Sequence, residues 1–167
     1  MIDSPSSGYL ALIRSSRNFR LLWFGQIISD LGDWFNLIAS ASLIGELTNS
    51  GLAIGALFFV RALAPFLASP FAGVIADRYN RRNVIILMNI IRPPLMLGFL
   101  FVRDSNTVWL LYLLTALQLF VSGIIYPTRT ALLPETVSQK DIGTANVITG
   151  ASFSAMFAIG AALGGFL

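Results

Sequence analysis

A short charged segment, Gly73 to Arg82, separates two long apolar runs and limits what the chain can fold into. The flanking runs extend from Ala53 to Ala76 and from Val84 to Val102. At 1.5 Å per residue, each is long enough to cross a hydrocarbon layer of about 30 Å. The segment therefore predicts a hairpin loop at a membrane surface. Because it holds three arginines, and cationic loops stay in the cytoplasm, it also predicts which way the chain crosses the membrane.

The composition is typical of an integral membrane protein. Hydrophobic residues make up 56% of the chain and charged residues 11%, whereas a soluble domain has about 25% charged residues. The formal net charge of +3 comes from basic residues between apolar runs, so nucleic acid is not expected as a partner. The chain contains no Cys and no His, which excludes Cys/His zinc sites, thiolate nucleophiles and imidazole catalysis. We predict that it is not an enzyme and uses no cofactor or metal.

Five apolar segments predict an all-α polytopic membrane protein with five transmembrane helices. Residues 1–20 form a cytoplasmic amphipathic lead-in whose arginines anchor it at lipid headgroups. Residues 21–167 form the bundle, with helices at about 21–47, 52–76, 83–102, 107–126 and 143–167. After the fourth helix, which is expected to end at Tyr126-Pro127, we expect a short surface helix following Pro134.

The distribution of basic residues predicts a cytoplasmic N-terminus, because cytoplasmic loops of membrane proteins are enriched in Lys and Arg. Eight basic residues fall in predicted inner segments and one in a predicted outer loop. The inner residues are Arg14, Arg17, Arg20, Arg78, Arg81, Arg82, Arg129 and Lys140, and the outer one is Arg103.

Charged side chains within the predicted helices are candidate functional groups, because such groups are costly in lipid. Asp33 and Arg61 lie about 20 Å and about 24 Å from the inner ends of their helices at 1.5 Å per residue. Asp30 and Arg92, at about 15 Å and about 14 Å, are a weaker pair. The pair Asp33 and Arg61 is either a proton-coupling or substrate-binding site, or a permanent ion pair that fixes helix packing. Both interpretations stay open.

The second predicted helix carries a stripe of residues that recur every four positions: Arg61, Pro65, Ser69 and Gly73. Residues four apart lie on one side of a helix, and small residues there allow a neighbouring helix to approach closely. Two prolines in this helix break its hydrogen-bond ladder, which is tolerated where protein or a cavity satisfies the backbone. The stripe is therefore expected to face inward.

The charged segment also resembles a known signature. Its pattern, Gly73-x-x-x-Asp77-Arg78-x-x-Arg81-Arg82, is similar to the loop motif between the second and third helices of the major facilitator superfamily. Other stretches resemble the multidrug and siderophore efflux branch of that superfamily, which includes the enterobactin exporter. These stretches are Phe19-Arg20-Leu21-Leu22-Trp23, Leu31-Gly32-Asp33-Trp34, Arg61-Ala62-Leu63-Ala64-Pro65, Tyr126-Pro127-Thr128-Arg129 and Leu133-Pro134.

The chain departs from the family pattern in three places. Asn80 stands where the motif has Gly, and because Asn tolerates a left-handed conformation we expect the turn to form. Asn89 stands where Asp is expected, which removes an ion-pair partner for Arg92. The run from Gly160 to Gly165 resembles the antiporter motif Gly-Pro-x-x-Gly-Gly with Ala in place of Pro. Close helix packing is still expected there. The packing residues are Gly160, Gly164 and Gly165.

The resemblance implies an architecture of twelve helices in two six-helix halves, with the substrate between the halves. The five predicted helices then correspond to a truncated N-terminal half that lacks the C-terminal half. In the family the charged segment acts as a cytoplasmic gating latch, which implies that role for Gly73, Asp77, Arg78, Arg81 and Arg82. Asp77 can also accept hydrogen bonds from the amides that open the next helix, or bond to a neighbouring helix.

The function implied by the resemblance is proton-coupled efflux of small amphiphilic molecules, drug-like or siderophore-like, by alternating access in the bacterial inner membrane. The implied partners are membrane lipids, protons, a small-molecule substrate and the C-terminal half. Two alternatives stay open. One is an importer or uniporter of the same fold, and the other is a non-transporting scaffold or half-transporter that needs a partner chain.

Overall fold

The computed structural model describes residues 8–164, and within that range the chain is helical with no β-strand. Six α-helices follow one another in this described part of the chain. They are α1 (Tyr9–Ser15), α2 (Arg17–Thr48), α3 (Gly51–Arg78), α4 (Arg81–Gly98), α5 (Val108–Thr136) and α6 (Ile142–Gly164). Single 3-10 turns lie between some of them, at Phe99–Phe101, Ser105–Thr107 and Gln139–Asp141.

Five of the helices in the described part of the chain, α2 to α6, are long and apolar enough to cross a membrane. Each has at least 18 residues with few charges, as a bilayer of about 30 Å requires. The predicted all-α polytopic fold is therefore confirmed, and the chain is a multi-pass membrane protein. The helix α2 begins at Arg17, four residues before the predicted start of the first helix, so the end of the expected lead-in belongs to α2.

The fourth long helix does not end at Tyr126-Pro127 as predicted. The helix α5 continues through Pro127 and Pro134 and ends at Thr136. No separate surface helix follows Pro134 among the described residues; the chain instead makes the 3-10 turn at Gln139–Asp141.

Burial beyond Pro127 explains the extension of α5. Proline removes one backbone donor, but helices of membrane proteins tolerate this where neighbouring groups cover the freed carbonyl. In the extended part of α5, Leu133 is buried in an apolar cluster with Leu12 and Phe19. Because the helix continues, Leu133 lies on the face that packs into this cluster. The two prolines in the sequence do not reveal this packing.

The chain forms two compact units. The first unit contains the described residues up to Ala39 and those from Leu132 onward, and the second contains Ser40–Ala131. The core of the first unit joins α1, the start of α2, the end of α5 and the start of α6. Its buried members are Leu12, Phe19, Leu133, Ala145 and Ile148.

The core of the second unit lies where α3 and α5 approach closely. A Cβ atom at Gly123 would lie 2.8 Å from the Cβ of Ala68 and 3.2 Å from the Cα of Pro65, so only glycine fits this contact without displacement. Nearer the start of both helices, the Tyr112 hydroxyl of α5 donates a hydrogen bond to the carbonyl of Ala53 of α3 at 2.8 Å. The buried residues of the surrounding cluster are Ala68, Ala72, Val84 and Ile124.

The stripe predicted to face inward on α3 is only partly inward. Ser69 and Gly73 are exposed, whereas the alanines one position away from the stripe on each turn are buried. These alanines are Ala64, Ala68 and Ala72. A methyl group permits nearly as close an approach as glycine, and unlike the Ser69 hydroxyl it needs no hydrogen-bond partner when buried. The packed face of α3 is therefore rotated from the predicted one.

Candidate functional site

The charged segment forms a tight turn between α3 and α4. The Asn80 side-chain oxygen accepts hydrogen bonds from the backbone amides of Arg82 at 3.1 Å and Asn83 at 3.3 Å. Asn80 is thus the N-cap of α4, a position for which Asn is among the preferred residues. With φ −62° and ψ 113° its backbone is extended, so the expected turn forms without a left-handed conformation at Asn80. Two of the amides that open α4 are thus bound by Asn80, which disagrees with the first of the two alternatives for Asp77.

The side chains of the charged segment differ in their surroundings. Asp77, Arg78 and Arg82 are exposed at this end of α3 and α4. Arg81 is half-buried, and its Nη1 donates a hydrogen bond to the Ala131 carbonyl of α5 at 3.3 Å. Within the second unit, Arg81 therefore links the start of α4 to α5, whereas Asp77, Arg78 and Arg82 are exposed.

The charged side chains within the spans are distributed over both units. Asp30 and Asp33 are half-buried on α2 in the first unit. In the second unit, Arg61 is half-buried on α3 and Arg92 is buried on α4. Each of the two expected pairs takes one member from each unit, and both pairings stay predictions.

One of the departures from the family pattern is accommodated locally. Asn89 lies one turn before Arg92 on α4, and its Nδ2 donates a hydrogen bond to the Ile85 carbonyl at 2.8 Å. This bond satisfies one N–H group of the amide within its own helix. Such a bond lowers the cost of placing Asn in a membrane span, where a polar group needs a partner.

An aromatic cluster joins α2 and α6 in the first unit. The Trp34 ring meets Phe157 edge-on with centroids 4.5 Å apart, and Phe153 at 6.0 Å. Gly160 packs against the same tryptophan, because a Cβ on Gly160 would overlap the Cβ of Trp34. The spacing of Phe153, Phe157 and Gly160 places them on one face of α6. This spacing was the signal in the sequence from which the aromatic cluster could have been predicted. Gly164 ends α6, and Gly165 lies outside the described residues.

Two polar contacts join the same pair of helices closer to the start of α2. The indole Nε1 of Trp23 donates to the Ser152 hydroxyl at 2.8 Å. The Gln26 amide donates to the Thr149 carbonyl at 3.3 Å. Polar groups that bond across helices inside a membrane stabilise one relative position of those helices.

A polar row on α5 was missed by sequence reasoning. Thr115 and Gln118 are buried, and Ser122 is half-buried one turn further on. Their spacing of three and four residues puts them on one side of the helix. The hydroxyl oxygens of Thr115 and Ser122 have no hydrogen-bond partner among the described residues. By contrast, the hydroxyls of Thr128 and Ser152 bond to the carbonyl four residues earlier.

Comparison with known proteins identifies relatives along nearly the whole chain. The chain is similar to the MFS-type transporter YfiS of Bacillus subtilis (strain 168), with 29% identity over 157 residues, or 93% of this chain and 37% of YfiS. Multidrug resistance protein 1 of the same organism is 28% identical over 84% of this chain and 35% of its own length. The multi-drug resistance efflux pump PmrA of Streptococcus pneumoniae is 27% identical over 90% and 38%.

The chain thus spans about a third of the length of the curated relatives that it matches. No solved structure matches it significantly. The family model described as Major Facilitator Superfamily matches residues 22–167, which include four of the five spans and all but the first five residues of α2. The chain therefore belongs to the major facilitator superfamily.

Proposed function

We propose that the chain is the N-terminal part of a transporter that exports small amphiphilic molecules in exchange for protons by alternating access. The observation that carries this proposal is the similarity to two multidrug resistance proteins over 84% and 90% of the chain. The family match, over residues 22–167, covers the charged positions within the spans. The site would lie in the bacterial inner membrane with the N-terminus in the cytoplasm, as the excess of basic residues in the inner segments favours.

Asp33 is the residue that we propose to carry the proton. A half-buried carboxylate in a membrane span favours its charged form while an arginine is near and its protonated form when the arginine moves away. Arg61 is the arginine that we propose for this role, because it is half-buried at a similar predicted depth. Movement between two conformations would then alternately bind and release the proton.

The charged segment is proposed to act as the gate on the cytoplasmic side. The exposure of Asp77, Arg78 and Arg82 supports this role, because these charges are available to a further part of the transporter. Ser69 and Gly73, which are exposed on α3, supply a small-residue face that a further helix could approach. Arg81 would keep its bond to α5 while the gate opens.

Transport in vesicles tests the proposal. The protein in its full encoded length is placed in vesicles loaded with ethidium, an amphiphilic cation, and a pH gradient is imposed. We expect gradient-driven export by the unmodified protein and its loss in Asp33→Asn, with Asp104→Asn in an exposed loop as the matched control. Equal export by Asp33→Asn and the control would contradict the role of Asp33. Gradient-independent equilibration or uptake would instead indicate a uniporter or an importer.

A further inference from the structure

The short helix α1 has two different sides. On the inner side, Leu12 is only 2% exposed and belongs to the core of the first unit. On the outer side, Leu10 is 71% exposed, and Arg14, one turn further along the same side, is exposed as well. The two apolar residues therefore lie on different faces of α1. One face contacts the protein core, and the other is exposed.

Hydrogen bonds fix the position of α1 within the first unit. The Ser16 hydroxyl donates to the Thr136 carbonyl at 2.7 Å and accepts from the Phe19 amide at 3.2 Å. The Arg20 guanidinium donates to the carbonyls of Ile13 at 3.3 Å and Arg14 at 3.4 Å, which are at the end of α1. Arg20 thus has a structural role, and the outer side is held in place by the protein itself.

The charge of this region has one sign. Residues 8–29 contain three arginines and no Asp or Glu. Arg14 and Arg17 are exposed, and Arg17 is the first residue of a helix that crosses the membrane. The outer side of α1 therefore lies next to the first residue of a helix that is long and apolar enough to cross the membrane, with guanidinium groups near an exposed leucine.

We propose that the outer side of α1, formed by Leu10 and Arg14, binds the headgroups of anionic membrane lipids together with Arg17 at the start of α2. Arginines near an anionic leaflet are attracted to its phosphates, and an adjacent apolar side chain inserts at the boundary of the acyl chains. A soluble anion would engage the arginines but leave Leu10 in water. A bilayer surface satisfies both kinds of side chain at once, which is why we assign it as the partner.

Lipid binding would have a consequence for the helices that α1 contacts. Through Leu12 and Ser16, α1 joins the start of α2 to the end of α5 and the start of α6. An anionic lipid that holds α1 would therefore stabilise the arrangement of these three helix ends. The lipid composition of the membrane would then bias any motion that separates them.

Site-directed fluorescence can test the proposal in the full encoded protein. The chain contains no cysteine, so Ala11→Cys, at an exposed position on α1, gives one labelling site in this region for a bimane fluorophore. The protein is placed in vesicles of phosphatidylcholine and phosphatidylglycerol, in which either one lipid or the other carries a nitroxide quencher. The ratio of the two quenching efficiencies measures the preference of α1 for the anionic lipid.

We expect stronger quenching by labelled phosphatidylglycerol. The preference should fall about fivefold in Arg14→Gln and about thirtyfold in Arg14→Gln/Arg17→Gln, given about 1 kcal/mol for each arginine at an anionic surface. Arg103→Gln, an exposed arginine outside this region, is the matched control and should leave the ratio unchanged. Equal quenching by both lipids, or a double variant that matches the control, would overturn the proposal. So would loss of the preference when inorganic phosphate is added at constant ionic strength, because this would indicate a site for a soluble anion.

Discussion

The helices α3 and α5 both contain two prolines and both cross the membrane, yet their surroundings differ. In an apolar 18-residue stretch of the α5 span half of the residues are buried, against 17% in the α3 span. Large apolar side chains on α3, such as Phe66 and Phe58, are exposed, whereas α5 buries residues on almost every turn. The difference teaches that α5 is packed mainly by this chain, while much of α3 is left for lipid or for further helices.

The largest test of this difference removes a buried leucine from α5. Leu111 is 0% exposed, so Leu111→Ala should lower the free energy of unfolding by about 2–5 kcal/mol because it leaves a cavity. Leu113, two residues away and 45% exposed, is the matched control, and Leu113→Ala should change stability by less than about 0.5 kcal/mol. Unfolding in mixed detergent micelles measures both. Similar losses for the two variants would mean that α5 is not asymmetrically packed.

A second comparison uses glycine on each helix. Gly123→Ala on α5 should cost about 1–3 kcal/mol, because the added methyl group meets Ala68 and the backbone of Pro65. Gly73→Ala on α3 places its methyl group in open space and should leave the stability of this part unchanged or slightly higher. The same unfolding assay applies. A greater loss for Gly73→Ala than for Gly123→Ala would reverse our assignment of the packed and open faces.

The smallest expected effect concerns the hydrogen bond between the two helices. Tyr112→Phe removes the donor to the Ala53 carbonyl and should cost about 0.5–1.5 kcal/mol. Tyr126 lies on the same helix with an exposed ring, and Tyr126→Phe serves as the control. The difference between the two melting temperatures gives the contribution of the bond. If the two variants have the same melting temperature, the bond does not stabilise the contact between α3 and α5.

The spans could be predicted from the sequence because their length and lack of charge are set by the bilayer. The inward face of α3 could not. Lipid is as apolar as a protein core, so Phe66, which is exposed, and Ala68, which is buried, fit an apolar pattern equally well. In a soluble helix, the polar face would have shown which side is outside.

The sequence predicts the individual residues of the candidate site but not how they pair. That Asp33 and Arg61 lie within spans follows from the apolar runs around them, but the pairing depends on how helices far apart in the sequence are arranged. The cap by Asn80 was missed for a different reason. Asn suits both a left-handed turn and an N-cap, and only the backbone conformation distinguishes the two.

The extension of α5 past Pro127 brings the end of this helix into the first unit. A helix of 29 residues rises about 44 Å, which exceeds a hydrocarbon thickness of about 30 Å by roughly 14 Å. The far end carries Thr136, whose carbonyl is bonded to Ser16 beside α1. The last turn of α5 therefore supports α1 and the start of α2 within the first unit.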